Sequence, residues 1–156
     1  MKKDILSKKF ETYLLKNDPS LQKFFKWEKG ENQFSNTYFL TLEIPSPNPK
    51  MDKLFVDCEP EEITVGVKEY HFHIDVESDR DFQECLNFIK KVKNEEIIFR
   101  ILYKDGKWDG SYDLNLVEDW SNDFLERNPS IIEIRSWKGT YDKRYTLAEF
   151  LSLKNK

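Results

Sequence analysis

The run from Ile63 to Val76 alternates apolar and polar residues and changes phase part-way along. Ile63, Val65 and Val67 are apolar at odd positions, whereas Tyr70, Phe72 and Ile74 are apolar at even ones. A period of two marks a half-buried strand. One extra residue moves a strand's apolar set to its other face, so the phase change requires a bulge or a tight turn near Lys68-Glu69. A chain that contains this segment must build a sheet, and its remaining elements have to cover one face of it.

The flanking patterns supply those elements. Ile5, Leu6, Phe10, Tyr13 and Leu14 recur at helical intervals over 4–15, and Asn17-Asp18-Pro19 stops them. A second short helical turn over Leu21, Phe24 and Phe25 leads into a loop at Lys29-Gly30-Glu31-Asn32. Tyr38 to Ile44 reads as a strand that ends at Pro45-Ser46-Pro47-Asn48-Pro49, since proline cannot donate to a ladder. Leu54-Phe55-Val56 is another strand. Ser78 with acids after it opens a helix carrying Phe82, Cys85, Leu86, Ile89 and Val92 on one side. Glu96 to Lys104 and Lys107 to Leu114 form a hairpin around Asp105-Gly106, a pair suited to the positive φ angles of a type I′ turn.

Residues 117–127 read as an irregular helix and Ile131 to Trp137 as a strand, with Ile132 and Ile134 facing inward and Glu133, Arg135 and Trp137 facing outward, which leaves Trp137 either partly exposed or covered by the terminal helix, or capping the core at the strand end. Thr146-Leu147-Ala148-Glu149 is a capping box that opens a terminal helix bearing Leu147, Phe150 and Leu151. These elements predict an α+β fold: a single mainly antiparallel sheet with N-terminal, central and C-terminal helices packed against it. A length of 156 residues suits one domain, residues 1–156, with a helical segment over 1–36 and a sheet-containing body over 37–156.

Charge narrows the function. The net charge is −4, yet residues 1–30 hold eight lysines against four acids, which leaves the rest of the chain acidic. An acidic body repels phosphate backbones, so nucleic acid is excluded as a direct partner and a basic protein is favoured. No apolar run is long enough to span a bilayer, and the charges around Met1-Lys2-Lys3-Asp4 interrupt any leader-like segment, so a cytoplasmic protein that does not enter membranes is expected. Cys58 and Cys85 match neither a zinc knuckle nor a disulfide framework and are expected to be reduced and buried.

Two constellations could carry chemistry. On a strand from Tyr70 to Val76, Glu69, His71, His73 and Asp75 share one face, opposite Tyr70, Phe72 and Ile74. His71, His73 and Asp75 could ligate a metal if Asp57 or Cys58 completed the set, or could serve a histidine-assisted hydrolase. No nucleophile accompanies them, because the acids after Cys58 would disfavour its thiolate, and the scattered glycines form no phosphate-cradling loop. The favoured reading has no catalytic residue, no metal and no cofactor, with the histidines on a polar strand face or at a partner contact; if the helix 79–93 or a neighbouring strand packs that face, at least one of them is expected to be buried and hydrogen-bonded. The second constellation is the pair of acidic stretches over 57–81 and 105–123. In the latter, Trp108, Asp109, Tyr112, Asp113, Asp119 and Trp120 interleave aromatic anchors with acids, a composition suited to a basic cleft on a protein partner.

Ile44-Pro45-Ser46-Pro47, Glu62-Ile63-Thr64-Val65-Gly66-Val67, Tyr70-His71-Phe72-His73, the helix that follows, and Ser136-Trp137-Lys138-Gly139-Thr140-Tyr141-Asp142 together resemble small bacterial proteins encoded beside polymorphic toxins. The resemblance covers roughly residues 38–145. It implies an immunity factor that binds and neutralises a cognate toxin, and it implies no catalytic residues.

Overall fold

The computed structural model describes residues 2–68, 70–115 and 123–154. By its internal contacts the chain separates into two compact units, residues 1–45 with 52–89 and residues 46–51 with 90–156. The α+β class expected from the sequence is observed, with antiparallel pairing among the described strands except for one short parallel contact. The single sheet is not: the described strands form a six-stranded and a four-stranded sheet. Alternation identifies a strand but not its neighbour, and each strand has only two edges to offer. Both edges of the strand that follows the central helix are taken by later strands, so the first sheet cannot continue into it.

In the first unit, β1 (Lys2–Lys3) runs parallel to β3 (Thr37–Ile44), while β2 (Phe25–Lys29) pairs antiparallel with β3. From β3 the sheet proceeds through β4 (Leu54–Cys58) and β5 (Glu62–Val67) to β6 (Tyr70–Asp75). The phase change is the tight turn, with Lys68 at φ 53° and Val67 opposite Tyr70. Strand β2 was not expected within the helical segment over 1–36. Its alternation is plain in retrospect, because Phe25 and Trp27 are half-buried between exposed Lys26 and Glu28.

Leu40, Leu42, Ile44, Leu54, Val56, Cys58, Ile63 and Val65 bury one face of this sheet. The helices α1 (Ile5–Asn17) and α2 (Asp79–Lys93) supply its cover. Asp4 caps α1 by accepting from Ser7 N at 2.9 Å, and Ser7 Oγ accepts from Leu40 N on β3 at 3.1 Å. Phe10 and Phe82 meet at 5.2 Å between ring centres, and Phe88 meets Phe72 at 4.9 Å. Asp81 accepts from Ser78 N at 2.7 Å and closes the first turn of α2.

In the second unit, β7 (Ile97–Lys104) and β8 (Lys107–Asn115) form the expected hairpin, with Asp105 and Gly106 both at positive φ. Strands β9 (Ile131–Arg135) and β10 (Lys143–Thr146) complete the order β10-β9-β7-β8; the sequence reading lacked β10. Helix α3 (Leu147–Lys154) starts with the predicted capping box, since Thr146 N donates to Glu149 Oε2 at 2.7 Å and Glu149 N to Thr146 Oγ1 at 3.2 Å. Phe150 joins Leu102, Phe124 and Ile132 in a core cluster, whereas Leu151 is exposed. Of the irregular helix expected over 117–127, a 3-10 turn is seen at Asp123–Arg127, and the remainder lies outside the described residues. Among the described residues, no helix is long and apolar enough to cross a membrane.

Candidate functional site

With both helices on one face of the first sheet, the opposite face keeps polar side chains at the surface. Cross-strand register aligns Lys26, Thr41, Asp57, Thr64 and His73 in one row from β2 to β6. Glu28 lies opposite Phe39 and Glu62 opposite Asp75, and Glu59 N donates to Glu62 O at 2.9 Å, which brings a further acid beside this end of the row. Glu59, Pro60, Glu61, Glu62 and Asp75 line a shallow depression of about 430 Å³ with Phe34, whose ring meets Phe39 edge-on at 5.8 Å. On the other side of the row, Glu43 pairs with both Lys26 and Lys53. The face is therefore neutralised around Glu43 and acidic around Asp57.

Asp57 registers that polarity. Partial burial, then the carboxylates of Glu28 and Glu59, push its pKa above the usual aspartate value against the pull of Lys53. Beside it on β3, Thr41 is only 8% exposed, and its Oγ1 has no hydrogen-bond partner among the described residues.

His71 and His73 belong to the same face, their rings edge-to-face at 5.4 Å. Both are exposed, which corrects the expectation that one would be buried. Helix α2 takes the opposite side of β6 through Phe88, which stacks on Tyr70 and meets Phe72. His73 Nδ1 is 3.1 Å from Glu62 Oε1 and 3.0 Å from Thr64 Oγ1. Asp75 shares the face, while Cys58 lies on the buried side of β4 and cannot complete a ligand set there. Among the described residues, no group of three or more histidines, cysteines or acids is placed to hold a metal ion; Glu69 is outside them. Burial pushes the Cys58 thiol up to about 12 and raises that of Cys85 as well.

The hairpin residues singled out in the sequence do not form one surface. A register shift at Leu102/Tyr103 places Trp108 opposite Tyr103 and Gly110 opposite Leu102, leaving Asp109 as the extra residue. Trp108, half exposed, therefore shares a face with Ser111 and Asp113, and its Nε1 donates to Ser111 Oγ at 2.9 Å. Tyr112 turns to the other face, against the cluster of Leu102, Phe124 and Ile132. There Arg100 lies 3.7 Å from the Phe124 ring centre and 5.3 Å from that of Tyr112. Asp109 is half-buried, its carbonyl accepting from Arg127 Nη1 at 2.5 Å. Asp119 and Trp120 lie outside the described residues.

The segment Ser136–Asp142 is a structural clasp. Asn48 Nδ2 donates to Ser136 O at 2.9 Å and Asp142 Oδ2 at 3.0 Å, and Ser46 Oγ donates to Trp137 O. Glu95 Oε1 accepts from Lys138 N at 2.7 Å and Thr140 N at 3.3 Å. Trp137 is buried as a core cap, and Glu133 is buried too, held by Arg135, so the outward placement expected for both is corrected.

Comparison of the chain with protein-family models, with curated proteins and with solved structures finds no match.

Proposed function

We propose that this protein acts by binding rather than catalysis, as an immunity-type factor that neutralises a cognate bacterial toxin in the cytoplasm by covering a basic surface on it. The observation that carries this reading is the acidic half of the open sheet face: Glu28, Glu59, Glu61 and Asp75 exposed around half-buried Asp57 and Glu62, with Phe34 exposed beside them. Exposed carboxylates attract a basic partner over roughly 8 Å at physiological ionic strength, and a ring at the rim of the patch contributes apolar contact once it arrives. In the second unit, exposed Trp108 with Asp113 on its face offers a contact of the same chemistry.

The test is co-expression with the toxin domain encoded by the neighbouring reading frame, scored by pull-down and growth protection. Wild-type protein is expected to bind and protect, with association slowing as salt rises. Combined Glu28→Lys, Glu62→Lys and Asp75→Lys is expected to lower the association rate, whereas Trp108→Ala raises the dissociation rate. Neither binding nor protection by the wild type would overturn the proposal.

A further inference from the structure

We infer that the row formed by Thr41, Asp57 and Thr64 on the open face of the first sheet is the receptor for a single guanidinium group, an arginine side chain presented by the partner. The inference rests on the binding reading above and gives it a point of attachment.

Two independent observations meet at this row. The first is charge: half-buried Asp57 shares the open face with Glu28, two strands away on β2, and precedes Glu59 by two residues, while Lys53 is engaged by Glu43. Its raised pKa has the same origin, a carboxylate held among carboxylates with too little solvent. A cation delivered there relieves repulsion that the fold sustains without it. The second is Thr41, more than nine-tenths buried, with an Oγ1 that has no partner among the described residues. Leu40 and Leu42 point to the helices, so alternation directs Thr41 to the open face, where it is the register partner of Asp57. Asp57 in turn faces Thr64, whose hydroxyl already lies 3.0 Å from His73 Nδ1.

Neighbouring side chains on one face of a sheet are about 4.5–5.5 Å apart, which suits a planar fork with several donors better than a point charge. A guanidinium can donate to both oxygens of half-buried Asp57, and a small shift of the side chains that cover Thr41 Oγ1 opens that acceptor to a further N–H. An ammonium satisfies the charge but not this fan of acceptors.

NMR titration of the full chain with N-acetyl-arginine amide tests the assignment, with the N-acetyl amides of lysine and citrulline as controls. Saturable shifts centred on the amides of Thr41, Asp57 and Thr64 are expected for arginine, weaker ones for lysine and none for citrulline. Asp57→Asn should weaken arginine binding at least about tenfold, and Thr41→Val should bring its affinity toward that of lysine. Thermal melts of both variants confirm that they remain folded. Shifts spread equally over every acidic patch, or equal affinity for lysine and arginine, would overturn the receptor. The toxin assay separates the two levels. A receptor that binds arginine in a protein that does not protect refutes the immunity reading alone, whereas protection undiminished in Asp57→Asn refutes the receptor alone.

Discussion

At the scale of single residues, two carboxylates make opposite contributions to stability as pH changes. Asp57 has a raised pKa, from partial burial and then from Glu28 and Glu59. The folded state binds its proton more tightly than the unfolded one, so Asp57 lowers stability as pH rises through the acid range and the penalty is complete above its folded pKa. Asp57→Asn is therefore expected to raise Tm at neutral pH and to flatten the dependence on pH, as calorimetry across pH 3–7 would show. A destabilising side chain kept at the centre of an open face is what a binding site looks like in stability terms. Glu95 has the reverse sign. Burial pushes its pKa up, but hydrogen bonds from Thr140 and Ser136 and from the amides of Lys138 and Thr140 outweigh this and hold it low. Its contribution is present above the unfolded pKa and fades as pH falls through the folded one. Glu95→Gln is expected to cost about 1.5–3 kcal/mol at pH 7 by chemical denaturation, with a smaller difference at low pH.

At the scale of elements, the sites that a sequence pattern marks strongly are those where local chemistry alone decides. The capping box at Thr146 and Glu149 needs only its own turn, and Thr146→Ala should cost about 1 kcal/mol by loss of its bond to Glu149 N. Asp105-Gly106 likewise specifies its turn by positive φ at both residues. Gly66 is different, because its requirement comes from the neighbouring strand. A Cβ there would lie 2.3 Å from Tyr70 O and 2.6 Å from His71 Cβ. Gly66→Ala is expected to push β5 and β6 apart and destabilise the first unit by about 1–3 kcal/mol, with amide exchange faster in both strands than elsewhere in the sheet. Strand β2 was legible in its alternation, yet a helical reading of Leu21, Phe24 and Phe25 competed for the same rings. The four residues of β10 were too few to establish a period.

At the scale of the whole molecule, the uneven charge of the sequence becomes a face. Acids far apart in the chain, Glu28 on β2 and Asp75 on β6, come to lie on one side of a sheet only because five strands align in register. If that face meets the partner, association should fall steeply between about 50 and 300 mM salt, while dissociation changes far less; stopped-flow mixing with the toxin domain would measure both. A rate that ignores salt would mean the acids merely solvate the surface.

Periodicity, capping residues and turn pairs by themselves determined most of the elements, because each of those signals acts within a few residues of chain. They also determined that His71, His73 and Asp75 share a face, since alternation along one strand needs no partner. Which strands become neighbours, and which face a helix covers, depend instead on contacts between distant parts of the chain. Those choices split the strands between two sheets and placed α2 against Tyr70 and Phe72, leaving the histidines in solvent. A bulge in the hairpin then separated Trp108 from Tyr112, and cross-strand register brought Thr41 to Asp57. Pairing joins residues distant in sequence through backbone hydrogen bonds that every residue can make, so the local pattern carries no record of the choice.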